Sequence, residues 1–270
     1  HGQGSSSVFQ TAVFDGTNIW LTTSTNIIKL TPPRSRKAPM VTCNTMIGEY
    51  LTAPIRTWDQ RAAAAATQWR NICWSDSLGL LVAVSDTGGA SSIMTSPDGV
   101  TWTTRTTPNQ TWFDVCWSPE LSLFCAVGQS GASVRVMTSP DGITWTTRTS
   151  AADLTWHSVC WAAGIGLFVA VAASWVSNGI MTSPDGTTWT SRTPAVSSKV
   201  WRSVCWSPQL KLLVATNSDA ATADQIMSSP DGITWTTRTG AVAAQCWGVV
   251  WAPALRLFVG VYRNSATAIQ

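Results

Sequence analysis

SPDGITWTTRT, residues Ser139–Thr149, occurs again without a change at Ser229–Thr239. Close copies, SPDGVTWTTRT and SPDGTTWTSRT, begin at Ser96 and Ser183. Each copy carries one tryptophan: Trp102, Trp145, Trp189 and Trp235. These tryptophans are 43, 44 and 46 residues apart, and a nearly fixed period in this range indicates a fold built from repeated supersecondary units.

A second motif recurs with the same period and raises the number of units to six. It reads W-x-x-[VI]-C-W at four places: Trp69–Trp74, Trp112–Trp117, Trp156–Trp161 and Trp201–Trp206. A degenerate copy ends at Trp251. FQTAVF at Phe9–Phe14 is a sixth copy, in which phenylalanine replaces both tryptophans.

One unit reads as four β-strands. In the third unit we predict them over four stretches: Trp112–Trp117, Leu123–Val127, Val134–Thr138 and Thr144–Thr149. The second stretch is a short apolar run, typical of a strand buried on both faces, and the Pro-Asp-Gly at 140–142 has the chemistry of a hairpin turn. Four-stranded units of this length predict an all-β fold, a six-bladed β-propeller with antiparallel blades; a linear β-solenoid is the alternative.

We expect a single domain over residues 1–270, interrupted in the first blade by an insertion at about residues 31–54. The insertion contains PPRSRK, a basic, proline-rich run that cannot pair as a central strand. It is either a surface excursion or a contact arm for a neighbouring subunit, so a homo-oligomer stays open. By alignment of the units the chain stops in the third strand of the last blade, which is then incomplete or closed by the N-terminus.

The charge and hydropathy of the chain argue against two classes of partner. Charged residues make up 11% of the sequence and the formal net charge is +3, which is too little basic charge for a dedicated nucleic-acid binder. No run of about 18 apolar residues occurs, so we expect no membrane insertion. The N-terminus lacks a signal-peptide pattern.

The cysteines follow the repeat. Four of the seven occupy one position of the innermost strand: Cys73, Cys116, Cys160 and Cys205. Equivalent side chains on different blades point the same way, so they do not reach disulfide geometry, and their spacing is not that of metal ligands. We therefore expect free thiols, folding in a reducing cytosol, no metal site and no cofactor.

The SPDGxTW turn resembles the S-x-D-x-G-x-T-W signature of the Asp-box, or BNR-like, repeat family, with a turn one residue shorter. The resemblance implies a structural role for four aspartates, which accept backbone hydrogen bonds within the turn: Asp98, Asp141, Asp185 and Asp231. It also implies that the four tryptophans of the repeat pack between strands. The family includes sialidases, but their set of three arginines, a tyrosine paired with a glutamate, and an acidic aspartate has no match here, and we assign no catalytic residue.

Several residues outside the turns are candidates for binding. Four tryptophans begin the innermost strands: Trp69, Trp112, Trp156 and Trp201. They either stack on a sugar at one mouth of the central channel or pack between adjacent blades, and packing is the favoured interpretation. Arg70, His157 and Arg202 share the next position of the repeat and are binding candidates at the same mouth.

Trp175 is a further candidate for binding, because the other units have no counterpart to it. We place it in the loop between the second and third strands. These loops and the segments between units vary freely among the copies, and in a propeller both sets emerge on one face. An unmatched aromatic residue on such a face is a common anchor for a partner or a sugar ring.

Long runs of SPDGxTWTTRT resemble propeller modules in structural and tail proteins of tailed phages. The resemblance implies a non-enzymatic module of a virion or an extracellular surface that acts in attachment, decoration or assembly. Its partners would be other virion or surface-assembly proteins, with a glycan receptor as a further candidate. A multivalent glycan-binding lectin is the alternative, and a degenerate sialidase-like glycosidase is a third hypothesis.

Overall fold

The computed structural model describes residues 9–14, 19–23, 27–30, 59–129, 134–219, 225–240 and 245–263, with side chains from residue 60 to residue 262 within these ranges. This part of the chain contains strands, turns and loops and no helix. The 31–54 insertion, the first eight residues and the predicted end of the last blade lie outside the described residues.

The strands form six antiparallel units in chain order, which we call sheets 1 to 6; the first five have four strands each and two strands of the last are described. Strand pairing joins the fourth and fifth units into one eight-stranded sheet. Sheets 1 and 2 comprise β1 (Phe9–Phe14), β2 (Ile19–Thr23), β3 (Ile27–Leu30), β4 (Asp59–Arg61), β5 (Trp69–Ser75), β6 (Leu80–Ser85), β7 (Ile93–Ser96) and β8 (Thr103–Arg105). Sheets 3 and 4 comprise β9 (Trp112–Ser118), β10 (Leu123–Gly128), β11 (Val136–Ser139), β12 (Thr146–Arg148), β13 (Trp156–Ala162), β14 (Leu167–Val176), β15 (Ile180–Ser183) and β16 (Thr190–Arg192). Sheets 5 and 6 comprise β17 (Lys199–Ser207), β18 (Leu212–Asn217), β19 (Ile226–Ser229), β20 (Thr236–Arg238), β21 (Gln245–Ala252) and β22 (Leu257–Arg263).

The predicted order of four strands is confirmed in sheets 1 to 5. In the third unit the bounds of the last two strands differ from the prediction, and the third strand spans Val136–Ser139. The fourth strand of the third unit spans only Thr146–Arg148, because the turn before it extends through Trp145. The second strand matches its prediction closely: Phe124 to Gly128 are buried in a continuous run. In sheet 1 the fourth strand resumes after the insertion, since Ile27 pairs with Arg61.

The sheets follow one another around their first strands. Each first strand lies against the first strand of the next sheet, in the order β1, β5, β9, β13, β17 and β21. Apolar side chains fill the space between consecutive sheets from sheet 2 to sheet 5. Val82 and Val84 of sheet 2, for example, share a buried cluster with Trp112 and Phe124 of sheet 3. Sheets 4 and 5 are also joined at an edge, because the end of β14 pairs with the start of β17.

A β-bulge marks the start of every first strand: at Gln10 in sheet 1 and at the equivalent position in sheets 2 to 6. The register shifts there so that one residue on the first strand has no partner on the second: Arg70, Phe113, His157, Arg202 and Trp247. A bulge turns a side chain away from the regular alternation of the strand. These five residues are therefore set apart from the core positions on either side of them.

The antiparallel order gives the molecule two ends with different connections. We call one end the turn face; it carries the tight turns between first and second strands and the SPDG turns between third and fourth strands. We call the other the loop face; it carries the loops between second and third strands and the segments between sheets. The bulged residues lie at the loop-face end of the first strands.

Candidate functional site

The four SPDG turns share one hydrogen-bonding geometry. In each, the aspartate Oδ1 accepts the backbone N–H groups two and three residues later at 2.7–2.8 Å. The preceding serine hydroxyl donates to the same oxygen at 2.9–3.0 Å. Hydrogen bonds from Thr101 and Val100 lower the pKa of Asp98 to about 2. This is the role that the Asp-box resemblance implies for these aspartates.

Each turn is closed by its own glycine and tryptophan. The glycine adopts a left-handed φ of 66–72°, a conformation that glycine adopts without strain. The indole N–H of the tryptophan three residues later donates to the glycine carbonyl at 3.0–3.3 Å. Trp102, Trp189 and Trp235 are buried and Trp145 is half-buried, so the turns support the ends of their own sheets.

The four tryptophans that begin the innermost strands are core residues. Trp69, Trp112, Trp156 and Trp201 are each 0% exposed, and Trp69 and Trp156 donate their indole N–H to the carbonyls of Ala65 and Ala152. Stacking on a sugar needs an exposed ring face, and none of the four presents one. The sugar-stacking hypothesis for these four residues is therefore corrected in favour of packing between sheets.

The five bulged residues form a continuous line of contacts from sheet to sheet, which we call the inner arc. The Arg70 guanidinium lies 5.3 Å from the centre of the Phe113 ring, and Phe113 stacks on His157 at 5.0 Å with an angle of 17° between the rings. The Nδ1 of His157 is 3.0 Å from the carbonyl oxygen of Arg202. The Arg202 guanidinium lies 4.8 Å from the centre of the Trp247 ring, a cation–π distance.

The inner arc brings together the three candidates Arg70, His157 and Arg202 and adds two aromatic residues that sequence reasoning missed. Phe113 and Trp247 occupy the same position of the repeat motif as the three candidates. That shared position is the signal that could have identified them. All five side chains are half-buried at the loop-face end of the sheets.

The electrostatics of the inner arc keep His157 neutral. Burial and the positive charges of Arg202 and Arg70 lower its pKa to about 4. Because Nδ1 faces a carbonyl oxygen, it carries the proton and donates it. Burial and the charge of Arg70 also lower the pKa of Arg202, so the two guanidinium groups repel each other across the arc.

The next residue of each first strand joins its sheet to the following one; we call this set the latch. The side chain of Asn71 donates to Asp114 Oδ1, and Asp114 Oδ2 accepts the backbone N–H of Val159 at 2.8 Å. Two serine hydroxyls continue the pattern: Ser158 accepts the N–H of Val204, and Ser203 accepts the N–H of Val249, both at 3.2 Å. The latch thus runs from sheet 2 to sheet 6.

Asp114 is the titratable member of the latch and is buried. Burial raises its pKa to about 7, against hydrogen bonds from Val159 and Val115 that act in the opposite direction. A carboxylate with this pKa in a cleft would be a candidate acid or base. Here its oxygens accept hydrogen bonds from Asn71, Val115 and Val159, and we assign it a structural role.

Trp175 stands apart from the inner arc and the latch. Our placement of it in a loop is wrong, because it belongs to β14, which continues to Val176 and pairs with β17 through Ala173–Val200 and Val176–Lys199. Its side chain is 67% exposed. A strand therefore holds a large, exposed aromatic ring on the loop face.

The described cysteines and acidic residues form no metal-binding cluster of three or more ligands. The described cysteines are free thiols: Cys73, Cys116, Cys125, Cys160, Cys205 and Cys246. Burial raises the pKa of Cys205 to about 11 and those of Cys116 and Cys160 well above the usual range. The carboxylate of Glu120 accepts the indole N–H of Trp161 at 2.5 Å.

No helix in the described part of the chain could cross a membrane.

No protein-family model matches the chain, and a search of curated proteins finds no significant relative. Solved structures do resemble it. A chain of the Mitotic Checkpoint Complex matches with a TM-score of 0.66 and 12% identity, over 96% of this chain and 73% of that one. Virginiamycin B lyase from Staphylococcus aureus matches with a TM-score of 0.69 and 8% identity, over 89% and 73%.

A third similar structure is the GH74 enzyme of Niastella koreensis, with a TM-score of 0.64 and 14% identity, over 96% of this chain and 46% of that one. All three have propeller-type folds. At sequence identities this low, the similarity supports an inference about the fold alone. With the sheets described above, they show that this chain has a propeller-type, all-β fold.

Proposed function

We propose that the sheets form a closed ring of six blades and that the SPDG turns are Asp-box turns. An uncovered apolar surface on the last sheet supports the closure. Val261 of β22 is 49% exposed, whereas its counterpart Val171 in sheet 4 is fully buried. Leu257 is 57% exposed. In sheets 2 to 5 the residues equivalent to Val261 are buried, and in a ring sheet 1 would cover this surface of the last sheet.

The proposed function is binding without catalysis: attachment, decoration or assembly on a virion or an extracellular surface, through the loop face. Trp175 carries this proposal. It is 67% exposed, no other unit has a counterpart, and strand pairing at Ala173 and Val176 fixes the backbone on both sides of it. A large aromatic ring held in place loses little conformational freedom on binding, which favours it as an anchor.

The roles of the acidic residues support a non-enzymatic function. The turn aspartates support their own hairpins, Asp114 joins sheets, and Glu120 holds Trp161. Two of the similar structures are enzymes, a lyase and a GH74 enzyme. One fold hosts many chemistries, so hydrolysis of a fluorogenic sialoside is the check on the glycosidase hypothesis, and we expect no turnover above the uncatalysed rate.

A glycan-binding lectin is the second candidate function, because an exposed indole also suits the apolar face of a sugar ring. Labelled protein on a glycan array separates the two: a lectin selects a set of glycans. Native mass spectrometry of the assembly that carries the chain tests the structural role, since a decoration or assembly protein is retained at a defined copy number.

Trp175→Ala tests the proposed surface in both assays, and Ile143→Ala is the matched control. Ile143 is 48% exposed in a turn on the opposite face. We expect Trp175→Ala to weaken binding by about tenfold or more with an unchanged melting temperature, and Ile143→Ala to change neither. A Trp175→Ala variant with a lower melting temperature and unaltered binding would show that Trp175 covers its own sheets instead.

A further inference from the structure

The two arginines of the inner arc occupy the same position of the repeat but have different partners. Arg70 forms a salt bridge through Nε with the carboxylate of Asp86, sixteen residues later. Arg202 donates through Nε to the hydroxyl of Ser218, also sixteen residues later, at 3.2 Å. Asp86 and Ser218 both directly follow the second strand of their sheets. Serine in sheet 5 thus replaces the carboxylate of sheet 2.

Because of this replacement, no carboxylate of the described residues is in direct contact with the Arg202 guanidinium. Within the described residues, its Nε contacts Ser218, its face lies on Trp247, and its two terminal nitrogens have no hydrogen-bond partner. Among the described acidic groups, Asp219 acts on Arg202 through its charge, and its carboxylate accepts the backbone N–H of Val200 at 3.2 Å. A half-buried guanidinium with unused donors is a strong site for an oxyanion.

The surroundings of Arg202 also favour an anion over a cation or a neutral ligand. Arg70 adds a second positive charge to the same arc. His157 is neutral and donates its Nδ1 proton to the carbonyl of Arg202, which fixes the backbone that carries the guanidinium. The hydroxyl of Ser218 supplies a further donor where Asp86 places its carboxylate in sheet 2.

We propose that Arg202 and Ser218 bind an external oxyanion, a carboxylate or sulfate group, at the loop-face end of the inner arc. The anion takes the place against Arg202 that the Asp86 carboxylate holds against Arg70. The guanidinium donates through its terminal nitrogens, and the hydroxyl donates to a second oxygen. The site uses residues different from Trp175, so it does not depend on the proposed binding surface.

The test is a titration with sodium acetate and with sodium sulfate, monitored by NMR. Sodium chloride keeps the ionic strength constant and is the reference anion. The reporters are the Arg202 Nε–H signal and the ring signals of His157. We expect saturable shifts in the wild type and a loss of affinity of about tenfold or more in Arg202→Gln. The acetate and sulfate arms show which oxyanion the site prefers.

A reciprocal exchange provides the sharpest control. Ser218→Asp gives Arg202 the internal partner that Arg70 has, so it should abolish anion binding while keeping the fold. The reciprocal change, Asp86→Ser, removes the carboxylate from Arg70 and should leave anion binding at Arg202 unchanged. Trp175→Ala should bind both anions like the wild type, which keeps this test separate from that of the loop face. If Ser218→Asp and the wild type respond to both anions alike, the proposed site does not exist.

Discussion

The SPDG turns and the first strands are repeated equally often, but they differ in how much the copies vary. In the turns, the same aspartate, glycine and tryptophan make the same hydrogen bonds within about a tenth of an ångström for the aspartate. In the latch, the equivalent position holds asparagine, aspartate, serine, serine and glycine. In the inner arc it holds arginine, phenylalanine, histidine, arginine and tryptophan.

The difference follows from what each residue contacts. The hydrogen bonds that the four turn aspartates share lie within their own hairpins, so the same residue suits every copy. A latch or arc residue contacts the following sheet, so its best identity depends on its neighbour. Asp114 accepts from Asn71 on one side and from Val159 on the other, which no serine copy does in the same way.

The largest effect is expected at the latch. Asp114→Ala leaves the side chain of Asn71 and the N–H groups of Val115 and Val159 without their acceptor, in a buried environment. Three lost partners should lower the free energy of unfolding by about 3–5 kcal/mol. Urea denaturation at pH 6 measures it. Ser203→Ala, which leaves only Val249 N–H unpaired, should cost about 1 kcal/mol; equal effects would show that Asp114 joins no more than one pair of sheets.

The pH dependence of stability gives a second effect of the latch. The pKa of Asp114 is raised from 3.8 to about 7 on folding. Between these two pH values the native state keeps a proton that the unfolded chain loses. The contribution of the Asp114 proton to the free energy of unfolding is therefore complete below about pH 4 and is lost as the pH rises to about 7. The size of this contribution is about 4 kcal/mol.

His157 acts in the opposite direction, because its pKa is lowered from 6.5 to about 4 on folding. Its contribution is present above pH 6.5 and is lost as the pH falls towards 4. The measurement therefore compares the wild type with Asp114→Asn across pH 4–8. The free energy of unfolding of the wild type, taken relative to that of Asp114→Asn, should fall as the pH rises; parallel curves would contradict the raised pKa of Asp114.

The turns should show a smaller effect that is the same in each copy. Asp141→Ala and Asp231→Ala each remove the acceptor of two exposed N–H groups, which water can partly replace. Each should lower the free energy of unfolding by about 1 kcal/mol, and anion binding at Arg202 should stay unchanged. A large difference between the two variants would argue that the turns are not equivalent.

The smallest effect concerns reactivity and not stability. Burial raises the pKa values of Cys116, Cys160 and Cys205, which keeps the thiols protonated, and the thiolate is the reactive form. Native protein at pH 8 should therefore leave these three cysteines unmodified by iodoacetamide, and denatured protein should not. Peptide mass spectrometry reads the result, and rapid labelling in the native state would contradict their placement between sheets.

Much of the fold was predictable because the repeat reports it directly. Strand order, the tight turns and the buried second strands follow from the sequence of a single unit, such as Trp112–Thr149. The bulges were not predicted, because a residue is recognised as extra only when the pairing of its strand with the neighbouring strand is known. That is why Phe113 and Trp247 were missed, although they align with Arg70.

Two further features depend on contacts between units, which no single unit reveals. Trp175 was assigned to a loop because its unit alone gives no partner for the end of β14; the partners are Lys199 and Val200 of the next unit. Asp114 aligns with Ser158 and Ser203. Only the adjacency of sheets shows that these different residues share the task of binding the backbone of the following strand.

Native-state hydrogen exchange tests the central claim, that the latch holds consecutive sheets together while the turns act locally. The reporters are the N–H groups of Val159, Val204 and Val249 in the latch and those of Ile143 and Thr144 in a turn. We predict that the three latch amides exchange only through global unfolding and that the two turn amides exchange through local opening. Latch amides that exchange as fast as those of the turn would contradict the claim.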